Sequence, residues 1–270
     1  MENQWIHLEK LREKYNSCSR VLIGLGEEWK VRRDDEAQQK QIRRAYEALY
    51  ELIKDKDYFI VTMATDAVIF ETSLGSRTEY AVMEEKKSSR PEPSAADMVS
   101  GDAMERFNRL FPAPKIKKDS RWQRITAPCG NETWRQCSVG CTKDIWEPGE
   151  IPDDICPHCG MPLTGNTIEA HPYIEEGYLP QWSHYNQWLA KTLNQDLLIL
   201  ELGVGFAHPG VIRFPFEKTT LFNQKALLCR VHARFPQTAK ELQERAVGIQ
   251  KASVAWILER DLCSPAPDFQ

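Results

Sequence analysis

Four cysteines constrain this chain more than any other feature. Cys137 and Cys141 are separated by three residues, Cys156 and Cys159 by two, and fourteen residues lie between the pairs. Two thiolate pairs on two tight turns are the arrangement a tetrahedral metal ion requires. The second pair lies in CPHCG, where Pro157 and Gly160 suit a knuckle whose backbone N–H groups point at sulfur. Four thiolates fill the coordination sphere of zinc and leave no place for water, so the spacing predicts a structural ion rather than a catalytic one. Four buried cysteines without metal are the alternative. His158, between two of the ligands, is either a competing ligand or a solvent-facing knuckle residue. The chain holds eight cysteines in all, but two close pairs plus scattered singles do not make a disulfide framework.

Around this module, apolar runs alternate with amphipathic segments. Trp5, Leu8, Leu11 and Tyr15 mark a helix over Glu2–Asn16, and RVLIGLG at Arg20–Gly26 reads as a buried strand ending in glycines. A polar helix follows over Asp34–Lys54, with Ile42, Tyr46, Leu49 and Ile53 on its buried stripe, then a strand at Tyr58–Thr62. The polar, proline-containing stretch at 83–102 predicts an exposed insert, and a short helix is expected at Ala103–Phe111. Beyond the cysteines come an aromatic-rich helix at Leu179–Leu193 and strands at Asp196–Leu202 and Ala226–Val231. A last helix is expected over Lys240–Leu262. This order predicts an α/β fold: a Rossmann-like parallel sheet with helices on both faces, plus a small zinc-ribbon module. The sheet domain is expected in two parts, 1–128 and 179–270, around a metal-binding module at 129–178.

The 41% hydrophobic content over 270 residues suffices for a sizeable core. Lysine and arginine total 35 against 39 acids, which offers no cationic field for nucleic acid. The absence of a long apolar run or a signal-like start points to no membrane and to a cytoplasmic protein. The oligomeric state is not legible.

The glycine-ended first strand, YFIVT followed by a loop with an aspartate, the cysteine pairs, and a glycine turn after DLLILEL together resemble the Sir2 family, the sirtuins. ELGVGFAHPGVIRFPFE at Glu201–Glu217, Cys137-x3-Cys141 and RAVGIQ at Arg245–Gln250 resemble the macrodomain-linked bacterial branch. The resemblance implies NAD or ADP-ribose as ligand and protein mono-ADP-ribosylation as the inherited activity. It also implies a protein substrate, or a macrodomain or lipoyl-carrier protein, as partner. By the same likeness Gly24, Gly26, Gly203, Gly205 and His232 fall at cofactor-binding positions. The family's Gly-Ala-Gly-x-Ser loop is here Gly24-Leu25-Gly26-Glu27-Glu28. Either the two carboxylates stand where phosphates would bind and repel them, or they cap their own helix; self-capping is the expected reading.

The amide that orients nicotinamide in the family is missing from Met63-Ala64-Thr65-Asp66, which keeps only Asp66. The catalytic position, eight residues before the first zinc cysteine, is Cys129-Gly130, and an ordinary thiol is a poor general base at neutral pH. Cys129 is therefore either a nucleophile or a buried inert thiol. His171, His184 and His208 align near the cleft as further acid or base candidates. Three functions follow: a sirtuin-like protein with lost or altered NAD-dependent activity; an active ADP-ribosyltransferase or deacylase using non-standard residues; or a pocket of Glu27, Glu28, Asp66 and Cys129 repurposed for a cationic or thiol-reactive ligand.

Overall fold

The computed structural model describes residues 2–75 and 123–259. The insert expected at 83–102, the helix expected at Ala103–Phe111 and the side chain of Trp5 lie outside the described residues.

Strand β1 (Arg20–Leu25) sits at the centre of a six-stranded parallel sheet. The chain first builds outward on one side, through helix α2 (Glu36–Ile53) to β2 (Asp57–Thr62) and then β3 (Ile125–Thr126). It returns to the other side of β1 with β6 (Leu197–Leu202), β7 (Ala226–Val231) and β8 (Ala246–Ile249). The run RVLIGL becomes a strand because both faces are covered. Val21, Ile23 and Leu25 point into a core with Ile42, Tyr46 and Leu49 of α2 and Trp256 of the terminal helix α5 (Ser253–Leu258). Leu22 points the other way, toward Tyr185 of α3 (Leu179–Lys191) and Phe216 of α4 (Arg213–Phe222). Helix α2 starts where the side chain of Asp35 accepts the Gln38 N–H at 2.9 Å, a capping bond that satisfies one otherwise orphaned donor. The N-terminal helix α1 spans Glu2–Ser17 and buries Leu11 against the first of these cores.

Over Lys240–Glu259, the described part of the helix expected at Lys240–Leu262, the chain is not one continuous helix. A 3-10 turn at Lys240–Arg245 leads into β8, and only Ser253–Leu258 is α-helical. The apolar positions that suggested a helix serve two elements. Val247 and Ile249 pair and pack on β7, and Val254, Trp256 and Ile257 cover the α2 face. The open edge of β7 supplied hydrogen-bond partners that outweighed the local helical spacing.

The cysteine module is a two-stranded antiparallel sheet, β4 (Gly130–Cys137) with β5 (Leu163–Thr167), broken by a register shift between Asn131 and Arg135. A backbone bond ties it to the loop that follows β2: Glu132 N–H donates to Thr65 O at 2.8 Å. Among the described residues, no helix is long and apolar enough to cross a membrane.

Candidate functional site: a cleft held by its own carboxylates

Because β1 pairs with both β2 and β6, the direction of chain winding reverses between β1 and β6. In parallel sheets the loops leaving the carboxyl ends at such a switch point form a crevice. Here those loops hold Gly26-Glu27-Glu28 and Gly203-Val204-Gly205. They are in contact: a Cβ on Gly26 would lie 2.3 Å from Gly203 O, and Gly203 itself has φ +66°. Only glycine meets both demands without strain. Gly24 lies below the crevice, in the core, where a Cβ would strike Ile212 and Phe216.

Both glutamates reach away from their own segment. The 3-10 turn Glu27–Trp29 has no side-chain cap, so the self-capping expectation is not met; three residues offer too few free donors to hold two carboxylates. Glu27 Oε2 accepts the Gly205 N–H at 2.6 Å, and Oε1 accepts the Ala207 N–H at 3.2 Å. Glu28 Oε1 accepts the Ala233 N–H at 3.0 Å. Glu28 Oε2 accepts both the N–H and the hydroxyl of Ser253, each at 2.7 Å. The buried Trp29 indole donates in turn to Ser253 Oγ at 3.1 Å. Every carboxylate oxygen thus has an N–H donor from a segment distant in sequence: the loops after β6 and β7 and the first residue of α5. A hollow of about 560 Å³ remains, lined by Glu27, Glu28, Phe206, His232, Arg234 and Phe235 among others.

His232 Nδ1 accepts the N–H groups of Arg234 and Phe235 at 2.9 and 3.1 Å, which fixes the ring with its proton on Nε2. Burial lowers its pKa despite the nearby Glu28 carboxylate. Below the hollow lies a buried charge network. Arg230 clasps Glu201 in two contacts of 2.6 and 2.9 Å, and Arg213 stands 3.5 Å from the same carboxylate. Arg213 also donates to Val204 O, Phe235 O and Gln237 O, and its guanidinium lies 4.3 Å from the Phe206 ring centre, so it fixes two of the crevice loops.

Asp66 is engaged elsewhere. Its two oxygens accept the N–H groups of Val31 and Val68 at 2.6 and 3.0 Å. Burial raises its carboxyl above the ordinary range while those two donors pull it back. Cys129 is 2% exposed and packs in the core with Phe59, Met63 and Tyr185. Burial, reinforced by Glu27, pushes its thiol up to about 11, which leaves almost no thiolate at neutral pH. His171 and His208 are exposed, and His184 lines a separate hollow with Arg124 and Trp188.

Cys137, Cys141, Cys156 and Cys159 do converge. All four sulfurs lie within 4.8 Å of one another, with Cys137 to Cys159 at 3.6 Å and Cys141 to Cys156 at 3.5 Å. A tetrahedron with Zn–S bonds of about 2.3 Å has sulfur edges of about 3.8 Å, so the cluster fits zinc. His158 is 2.8 Å from Asp144 and outside the cluster.

The sequence reading missed Ser253, Ala207, Ala233 and Arg213. Three of them act wholly or partly through backbone N–H groups, which carry no residue signature.

No family model matches the chain. In sequence it is similar to a protein ADP-ribosyltransferase of Staphylococcus aureus (strain Mu50), 26% identical over 133 residues, 46% of this chain and 42% of the relative. It is also similar to a probable bifunctional ADP-ribose hydrolase/ADP-ribosyltransferase of Fusarium oxysporum f. sp. cubense, 36% identical over 83 residues, 28% of this chain and 13% of the relative. The matches therefore span less than half of either relative's length. Among solved structures, a mutant Sir2 homologue in complex with ADP-ribose covers 96% of this chain and 99% of its own at 11% identity. Its TM-score of 0.45 is too low to bear on function. The crevice between β1 and β6 is bridged by the chain's own Glu27 and Glu28.

Proposed function

We propose that this chain is a sirtuin-type protein whose NAD-dependent activity is lost or altered, with a structural zinc ion in its four-cysteine module. One observation carries the reading: the backbone donors of Gly205, Ala207, Ala233 and Ser253 already hold the carboxylates of Glu27 and Glu28. As arranged, these residues do not fit a dinucleotide. Its pyrophosphate would meet two unit negative charges on the donors it needs, a repulsion of several kcal/mol at an effective dielectric of about 20. The position of the family's base holds a core thiol instead of a proton acceptor. The same contacts count against a repurposed acidic pocket, because the charges that would attract a cation are spent on protein donors.

The names of the two relatives favour the second reading, an active protein ADP-ribosyltransferase. Calorimetric titration of zinc-loaded protein with NAD and with ADP-ribose, followed by an assay for released nicotinamide, separates the two. The expected result is no saturable binding below about millimolar ligand, or about 4 kcal/mol of binding free energy. Micromolar NAD affinity with nicotinamide release would overturn the lost-activity reading in favour of an active NAD-dependent transferase or deacylase.

A further inference from the structure

The two carboxylates are not equivalent. Glu28 has a side chain only 19% exposed and is held by three donors, one of them the fully buried Ser253 hydroxyl backed by Trp29. Glu27 is solvent-exposed, is held by two backbone N–H groups alone, and stands at the mouth of the 560 Å³ hollow. Leaving its donors costs Glu27 no buried desolvated charge, since water replaces them, whereas Glu28 has no such exit.

We propose that Glu27 is a displaceable internal anion, occupying the Gly205 and Ala207 amides as a stand-in for a phosphate group, while Glu28 is a fixed strut. The inference rests on the reading above that the crevice is held by its own carboxylates. The loop it covers keeps the features of a phosphate cradle. Gly205 has no side chain, so an added Cβ would press on the Glu27 carboxylate at 3.2 Å. Arg234 is exposed and lines the same hollow. With Glu27 swung out, the Gly205 and Ala207 N–H groups are left free on a hollow that Arg234 also lines. A ligand that binds only the opened form has its apparent affinity reduced by the fraction of time the latch is open.

The test uses the full zinc-loaded chain with inorganic pyrophosphate as probe, read by calorimetry and by the amide resonances of Gly205 and Ala207. Glu27→Ala is expected to bind pyrophosphate at least about tenfold more tightly than the native chain, with both amides shifting on titration. Glu27→Gln, which keeps the volume and one acceptor, should fall between them and covers the case in which the alanine variant does not fold. Glu28→Ala should show no such gain. A folded Glu27→Ala or Glu27→Gln chain with native-like pyrophosphate affinity overturns the proposal, as does a gain confined to Glu28→Ala. Nicotinamide release by the native chain would overturn the preceding functional reading, whatever these variants do. Flat variants would overturn only the latch.

Discussion

Arg230→Met tests whether the crevice stands on the buried charge network beneath it. Arg230 and Glu201 are both essentially inaccessible and meet in two contacts of 2.6 and 2.9 Å. Arg230 also stands 2.9 Å from Glu217 and donates to Gln237 O. Methionine fills most of the vacated volume, so the cavity contributes little. What remains is Glu201 with only Arg213 at 3.5 Å, and Glu217 without its guanidinium. Removing one member of a buried pair costs about 3–5 kcal/mol, and that is the expected loss near neutral pH. The loss should depend on pH. Burial already raises the Glu201 carboxyl above its ordinary range, against the pull of Arg230. A group whose folded pKa is raised contributes fully below its unfolded value, about 4.3, and that contribution is lost as pH rises through the folded value. Without Arg230 the folded value rises further, so the variant recovers stability on acidification. Urea unfolding followed by far-ultraviolet circular dichroism, at about pH 7 and about pH 5, should show a deficit that shrinks at the lower pH, and Glu201→Gln/Arg230→Met should be less destabilised than Arg230→Met. A deficit below about 1 kcal/mol at neutral pH, or one equal at both, would refute the reasoning.

Two more expectations concern the cysteines. Cys156→Ala should lose bound zinc and with it on the order of 10 kcal/mol of local folding free energy, read as loss of metal by elemental analysis and rapid amide exchange across β4 and β5; a variant with native exchange protection would show that metal does not hold the module. Cys129, with a thiol pushed up to about 11, should be alkylated by iodoacetamide at pH 8 about a hundredfold more slowly than an ordinary free cysteine. Peptide mass analysis showing Cys129 modified at the ordinary rate would reopen its role as a nucleophile.

Much of the fold was legible because its signals are local. RVLIGL, LLILEL and ALLCRV are apolar on both faces, which in a chain of alternating elements specifies a covered parallel sheet, and all three are central strands. The four zinc-type cysteines were legible for the same reason, since a tetrahedral site built on two turns fixes short spacings. β8 was not. Val247 and Ile249 belong to a short strand whose pairing depends on β7 lying beside it, and the flanking residues had spacing compatible with a helix. The crevice contacts were least legible. The partners of Glu27 and Glu28 are 178 to 225 residues away in sequence, and most are backbone N–H groups that every residue but proline possesses.

The glycines at the crevice are a weaker argument for a bound dinucleotide than their pattern suggests, because packing alone requires three of them. Gly24 leaves room for Ile212 and Phe216, Gly26 for the carbonyl of Gly203, and Gly203 has a backbone conformation that a side chain would strain. These demands come from the close approach of β1, β6 and α4 and persist whether or not a nucleotide is present. Gly205 differs, because the atoms nearest its missing side chain are those of the Glu27 carboxylate. The choice between a retained and a lost cofactor therefore rests on the donors that the glycine loops expose. At Gly205 and Ala207 those donors are held by an exposed side chain, and at Ala233 and Ser253 by a largely buried one. The difference in burial between Glu27 and Glu28 is thus the feature on which the remaining functional question turns.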